Sequence, residues 1–389
     1  MLTPRFLRVL SIYLRVTSRY FYAIPFEVTK TGSNMELRMS RDSRHFILFH
    51  IILSCQCETV MYSFLRLCQM YFTGRYNGMS SYLLHLFNMV GFGYPVYLQI
   101  FLVFYGKSVC DLFNLAIKYD QQLRQRYWNQ NRRRNMDLLE TGGMVMAVVV
   151  YFQGFCFSMY ALLKPKTPFA HCSLLIELGW PMWAQIPVKI YETYMLINCW
   201  HVILSVWLTL VAGGYSVFRW VNELAPEEEN RIQIQQKALD TLRTETNSYS
   251  VYQSFEILTT MLNSIIKIWI AGVSFFVGKF IAIYMGYASI KLGMDGTLPM
   301  REYLVYPTSC IFLFVTLALL FPEAEKFSTA TIEYTKKMKW HSNRTLRKRF
   351  RGLRPLAILI TDAIRMQHGT FIEVLHDVID EITDLVISF

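Results

Sequence analysis

The chain has 389 residues, 53% of them hydrophobic and 15% aromatic, with only 17% charged, a net charge of +11 and a mean hydropathy of +0.26. That composition excludes an ordinary soluble globular protein and points to one multi-pass membrane domain. The basic excess does not call for nucleic acid as a partner, because it sits in alternate loops between apolar stretches, the pattern of the positive-inside rule.

Residues 1–45 form an N-terminal segment expected in the cytoplasm. Arg5, Arg8, Arg15 and Arg19 interrupt its apolar residues, which fits a basic amphipathic helix on the inner membrane surface rather than a cleaved signal peptide. Seven apolar stretches long enough to span a bilayer follow, at 46–71, 82–105, 141–163, 190–218, 257–287, 303–321 and 356–389. The expected fold class is therefore all-α with seven transmembrane helices. The fourth stretch opens on Tyr191 and Tyr194, and the fifth contains Lys267 and Lys279. With the N-terminus inside, inner segments hold 29 Lys and Arg and outer loops hold 6, so the N-terminus is expected to be cytoplasmic and the C-terminus extracellular.

Between the fourth and fifth stretches, residues 226–262 open on Pro226 and Glu227-Glu228-Glu229 and read as a continuous helix running into the membrane. Residues 336–354 carry nine Lys or Arg, suited to anionic lipid headgroups or to an intracellular assembly region. The sequon Asn343-Arg344-Thr345 falls in this inner loop and is expected to be unused. Most of the eight cysteines lie in apolar stretches, and no disulfide framework is readable. No metal-ligand spacing, nucleophile with a base or Gly-rich phosphate loop is present, so neither an enzyme nor a cofactor is expected.

The end of the chain carries the sharpest signal. Wound as a helix, FIEVLHDVIDEITDLVISF places Glu373, Asp377, Asp380, Glu381 and Asp384 in one sector roughly 100° wide, joined by Thr370 and Ser388. Phe371, Val374, Leu375, Val378, Ile379, Ile382, Leu385, Val386 and Phe389 fill the opposite arc. At about 1.5 Å per residue the helix is about 28 Å long, enough to cross a bilayer core. Five carboxylates in a span require water or cationic partners. Lining of a cation path is one reading; pairing with Lys267, Lys279 or His201 is a second, and a surface helix a third. A ligand cavity is less sharply marked. Gln153, Phe155, Tyr160, Tyr191, Tyr194, Asn198, Trp200, Tyr303 and Tyr306 fall in outer halves of the third, fourth and sixth stretches, an aromatic wall with a few polar groups.

The closing residues resemble those of the arthropod gustatory and odorant receptor superfamily, in which gustatory members end on Thr-Tyr, five apolar residues and Gln-Phe. The matching stretch here is Glu381-Ile382, Thr383 to Ile387 and Ser388-Phe389, which keeps part of the apolar block and the final Phe. Leu353-Arg354-Pro355-Leu356-Ala357-Ile358 resembles the approach to the last span, and Gly369-Thr370-Phe371 its continuation. The resemblance implies a divergent, gustatory-receptor-like subunit of a ligand-gated cation channel in the plasma membrane of sensory neurons. It implies a homo- or heterotetramer amid membrane lipids, gated by a small-molecule tastant or odorant bound in an outward-facing cavity of each subunit, with permeant cations passing through the centre. Within the single domain, residues 46–335 would hold spans one to six, 336–366 the anchor region and 367–389 the pore. The alternatives are a G-protein-coupled receptor, which needs the reverse orientation, and an ion-coupled secondary transporter, for which no inverted repeat is visible.

Overall fold

The computed structural model of the chain describes residues 2–30, 35–74, 79–128, 171–224, 240–267, 272–295, 305–340, 344–359 and 369–388, with single positions between 141 and 148. Helix α1 (Pro4–Arg19) is opened by Thr3, whose hydroxyl accepts from the Phe6 amide at 3.2 Å, and by Pro4 in its first turn. Its apolar stripe of Phe6, Leu7, Leu10, Tyr13 and Leu14 is buried in the core of the protein. The amphipathic helix is therefore as expected, but its apolar face packs on protein instead of lipid. Strands β1 (Phe26–Lys30) and β2 (Glu36–Met39) then form an antiparallel hairpin that the all-helical expectation did not include. Phe26, Val28 and Leu37 are its buried side chains, in the strand alternation. Asn114 completes the hairpin edge: its Oδ1 accepts from Leu37 N at 2.8 Å and its Nδ2 donates to Leu37 O at 2.7 Å. The remainder of the described fold is helical.

Helix α2 (Ser43–Thr73) starts at an Asp42 cap and stops at Gly74, which has φ +62°. Next come α3 (Met79–Tyr127), the short α4 (His171–Glu177), α5 (Met182–Leu224), α6 (Glu245–Ile266), α7 (Gly272–Asp295), α8 (Val305–Lys339), α9 (Arg344–Arg351) and α10 (Thr370–Ser388). Among the described residues, four helices are long and apolar enough to cross a membrane: Ser43–Thr73, Met89–Tyr127, Met182–Leu224 and Gly272–Lys291. They contain the first and fourth expected stretches, most of the second and residues 272–287 of the fifth. The third expected stretch lies almost wholly outside the described residues.

Two boundaries differ from expectation among the described residues. The helix expected over 226–262 begins, within the described residues, only at Glu245, after a 3-10 turn at Asp240–Arg243. Thr244 Oγ1 and Asn247 Nδ2 both donate to Thr241 O, at 3.0 and 2.8 Å, and close that turn. Of the fifth stretch, 257–287, the described residues belong to the end of α6 and the start of α7, and 268–271 lie outside them. The last stretch was expected from residue 356, but residues 353–358 are not helical. Side chains of α6 and α8 hold them extended: Tyr252 donates to Arg354 O at 2.8 Å, Asn263 to Ala357 O at 2.8 Å and Thr331 to Leu356 O at 2.8 Å. A peptide whose carbonyls are taken this way is not free to form a helical ladder.

Contacts give the relative directions of the helices. Gln56 meets Asn198 and Glu58 meets Tyr191, so α2 and α5 are antiparallel. Trp207 meets Tyr94 and Trp220 meets Asp120, so α3 and α5 are parallel. Tyr306 packs among Tyr284, Met285 and Ala288, while Cys310 lies beside Ala282, so α8 opposes α7. Helix α8 continues for about 27 Å beyond Phe321, leaving Lys336 to Arg354 well past the apolar part of that helix.

Candidate functional site

Among the described residues, the acidic helix α10 packs by one flank. Thr370, Val374, Val378 and Ile382 are buried, the last three in a cluster with Ala282 of α7, flanked by Phe275, Ile283 and Phe314. Gly286 lets the two helices close tightly, since a Cβ there would meet the end of the Ile382 side chain and push it aside. Glu373, Asp377, Asp380, Glu381, Asp384 and Ser388 are exposed, so the carboxylates form an open face beside the packed one. The apolar arc opposite the carboxylates is divided. Val374, Val378 and Ile382 are packed, while Ile379 is 50% exposed; Ile372 and Ile387, outside that arc, are 67% and 78% exposed.

Two partners reach the carboxylates. Lys279 Nζ of α7 lies 3.4 Å from Asp377 Oδ2 and 3.2 Å from Glu381 Oε1, and His376 Nδ1 lies 2.9 Å from Asp380 Oδ2 one turn away. The pairing reading holds for part of the helix: some carboxylates have a cationic neighbour, and all are exposed. His201, another of the three cations considered, is elsewhere.

It belongs to a joint between α5 and the N-terminal arm that sequence reasoning missed. Tyr13 Oη lies 3.2 Å from His201 Nδ1, and the Phe21 ring lies 4.0 Å from the imidazole and stacks on Tyr194 at 6.2 Å. Tyr194 Oη donates to Phe21 O at 3.1 Å, and Asn198 Nδ2 donates to the same oxygen. His45 of α2 binds Ser18 O at 3.0 Å and Gln99 of α3 donates to Ala23 O at 3.2 Å. Side chains from three helices therefore satisfy successive carbonyls of the arm.

This settles where several expected ligand residues lie. Tyr194 and Asn198 hold the arm, and Tyr191 donates to Cys55 O and to Glu58 of α2, at 3.1 and 2.9 Å. Trp200 is half-buried against the main core, and Tyr306 is buried against α7. Gln153, Phe155, Tyr160 and Tyr303 lie outside the described residues. A second unanticipated group joins α3, α5 and α7: Trp207 Nε1 donates to Tyr94 Oη at 3.0 Å, and Tyr94 bonds the Ser274 hydroxyl.

His171, in the loop expected outside the membrane, ties α4 to α2 and α5. Its Nε2 lies 3.1 Å from Glu58 Oε1 and its Nδ1 3.3 Å from Glu192 Oε1, the latter off the hydrogen-bond axis, and its ring stacks on Tyr62 at 4.1 Å. Burial pulls the imidazole pKa down, but the Glu192 and Glu58 carboxylates more than offset it, so the net shift is upward. A raised imidazole pKa means that the ion pairs contribute fully below its ordinary value and are lost as pH rises through the raised one. We expect the melting temperature of the detergent-solubilised protein to fall as pH rises from below the ordinary imidazole pKa through the raised one, and His171→Gln to flatten that slope. An unchanged slope in the variant would remove His171 as its cause.

Among solved structures, the chain superposes on the insect olfactory receptor OR5 from Machilis hrabei with a TM-score of 0.64, covering 98% of this chain and 97% of that one at 10% sequence identity. The chain has the insect olfactory receptor fold. The same receptor in complex with eugenol superposes with a TM-score of 0.63, covering 99% and 98% at 11% identity. No protein-family model matches the sequence, and no curated protein matches it. At such identity the olfactory receptor fold carries over as architecture, and the roles of individual residues rest on this chain's own geometry.

Proposed function

We propose that the chain is a subunit of a chemosensory receptor that is itself a ligand-gated, non-selective cation channel. The observation that carries this reading is α10, a helix packed by one flank on α7 with its carboxylates exposed beside it. In a whole-chain olfactory receptor fold, four such helices around an axis would give a water-filled path attractive to cations. Thr370, Glu373, Asp377, Asp380, Glu381, Asp384 and Ser388 are the proposed lining, and the exposed Ile372, Ile379 and Ile387 are proposed to meet neighbouring copies. Residues 336–366 are proposed as the cytoplasmic anchor, which the position of Lys336 to Arg354 far along α8 supports.

The parallel run of α3 and α5 calls for one further span between them, for which 141–163 is the apolar sequence available, and the N-terminus is proposed to lie inside on the Lys and Arg count. The ligand is proposed to be a small organic tastant or odorant, with Trp200 and Tyr306 near it together with Gln153, Phe155, Tyr160 and Tyr303. Tyr191, Tyr194 and Asn198 are assigned to holding α2 and the arm. Ligand would open the channel by binding the open state better than the closed one. The proposed setting is the plasma membrane of sensory neurons, alone or with related subunits.

The test is expression of the tagged chain in cells with G-protein signalling blocked. A cytoplasmic N-terminus, an extracellular C-terminus and a ligand-evoked current carried by several cations are the expected result. A surface-expressed protein with the C-terminus inside would overturn the reading.

A further inference from the structure

Lys279 is set into the seam between α7 and α10. Ala282 and Gly286, one and two turns further along the same face of α7, are the positions against which Val378 and Ile382 close. From that fixed place Lys279 reaches Asp377 and Glu381, two carboxylates one helical turn apart, while its own side chain is 22% exposed and theirs are 62% and 57%. One cation therefore serves two anions. Asp380 has His376 of its own helix, and among the described residues Glu373 and Asp384 have no ion-pair partner. Around the helix, Asp377 and Glu381 border the packed flank, and Glu373, Asp380 and Asp384 lie further from it.

We propose that Lys279 is a selectivity-determining residue: it partly neutralises Asp377 and Glu381 and so limits how strongly the acidic face favours divalent over monovalent cations. This rests on the reading of α10 as the wall of an ion path. The electrostatic energy of an ion in a given field scales with its charge, so a more negative wall helps a calcium ion twice as much as a sodium ion. Two bare carboxylates a turn apart also supply the oxygen ligands that hard divalent cations take. With Lys279 present the trio carries one net negative charge; without it, two. Every copy around the axis repeats that change at the same depth.

The experiment is bi-ionic reversal-potential recording of the full-length channel with calcium outside and sodium inside. Lys279→Met is expected to raise the calcium-to-sodium permeability ratio about threefold, in the range an exposed ion pair is worth. Lys279→Arg should keep the wild-type ratio, and adding Asp377→Asn with Glu381→Gln to Lys279→Met should bring it back down. Should Lys279→Met fail to reach the surface, Asp377→Asn with Glu381→Gln in the wild-type background serves instead, and its ratio should fall below wild type because the lysine is left bare. An unchanged ratio in these variants, with a clear change in Asp380→Asn, would overturn the role of Lys279 while leaving α10 in the ion path. No change in any of them, Asp380→Asn included, would remove the ion-path reading as well.

Discussion

Replacing Asn198 with Leu will lower the thermal stability of the detergent-solubilised receptor by several degrees. Asn198 is fully buried and serves two partners, donating to Phe21 O and accepting from Gln56 Nε2 at 2.7 Å. Leucine is of similar size but makes neither bond. The Gln56 amide loses its partner in a buried site, and each buried orphan costs about 1–3 kcal/mol. The Phe21 carbonyl keeps Tyr194 at 3.1 Å, which softens the second loss. The expected total is about 2–4 kcal/mol, a large fraction of what typically holds a domain together. Tyr194→Phe in the same background should add to the loss, because Phe21 O is then left bare. Met182→Ala, at a position 75% exposed, is the control and should change nothing. A melting curve for Asn198→Leu that overlays the wild type would mean that the arm does not hold α5.

Neutralising Asp377, Asp380 and Asp384 together, each to Asn, is expected to lower unitary conductance several-fold and to weaken discrimination of cations from anions. All three are exposed on α10. Like charges on one helix face repel and, without counterions, weaken the helix; facing an aqueous path, they concentrate cations instead. The substitution preserves size and helical register, so the packed flank of Val374, Val378 and Ile382 should be undisturbed. The measurement is single-channel recording under ion substitution. Wild-type reversal potentials and conductance in the triple variant would place the ion path away from α10.

Much of this architecture is legible in the sequence, for stated reasons. Apolar runs locate α2, α3, α5 and α7, because length and hydropathy are local properties. The carboxylate sector of α10 follows from the 3.6-residue period alone. Periodicity does not say which half of the apolar arc has a neighbour, and so the exposed Ile379 cannot be told from Val374, Val378 and Ile382. The hairpin is short, and its pairing with α3 depends on Asn114, 77 residues from Leu37. The arm was read as a lipid-surface helix because its stripe is apolar, and its true neighbours are far along the chain: Tyr194 is 173 residues from Phe21. For the same reason Tyr194 and Asn198 looked available for ligand.

The central claim is that ions pass along the acidic face of α10. Cysteine placed singly at Asp384, Asp380 and Val378 and tested with a positively charged, membrane-impermeant thiol reagent during agonist-evoked current asks this most directly. The account predicts rapid, irreversible loss of current with cysteine at Asp384 and Asp380, and none at Val378, which is buried against α7. Modification at Val378 with Asp380 and Asp384 unreactive would contradict it, because the ion path would then run along the other side of the helix.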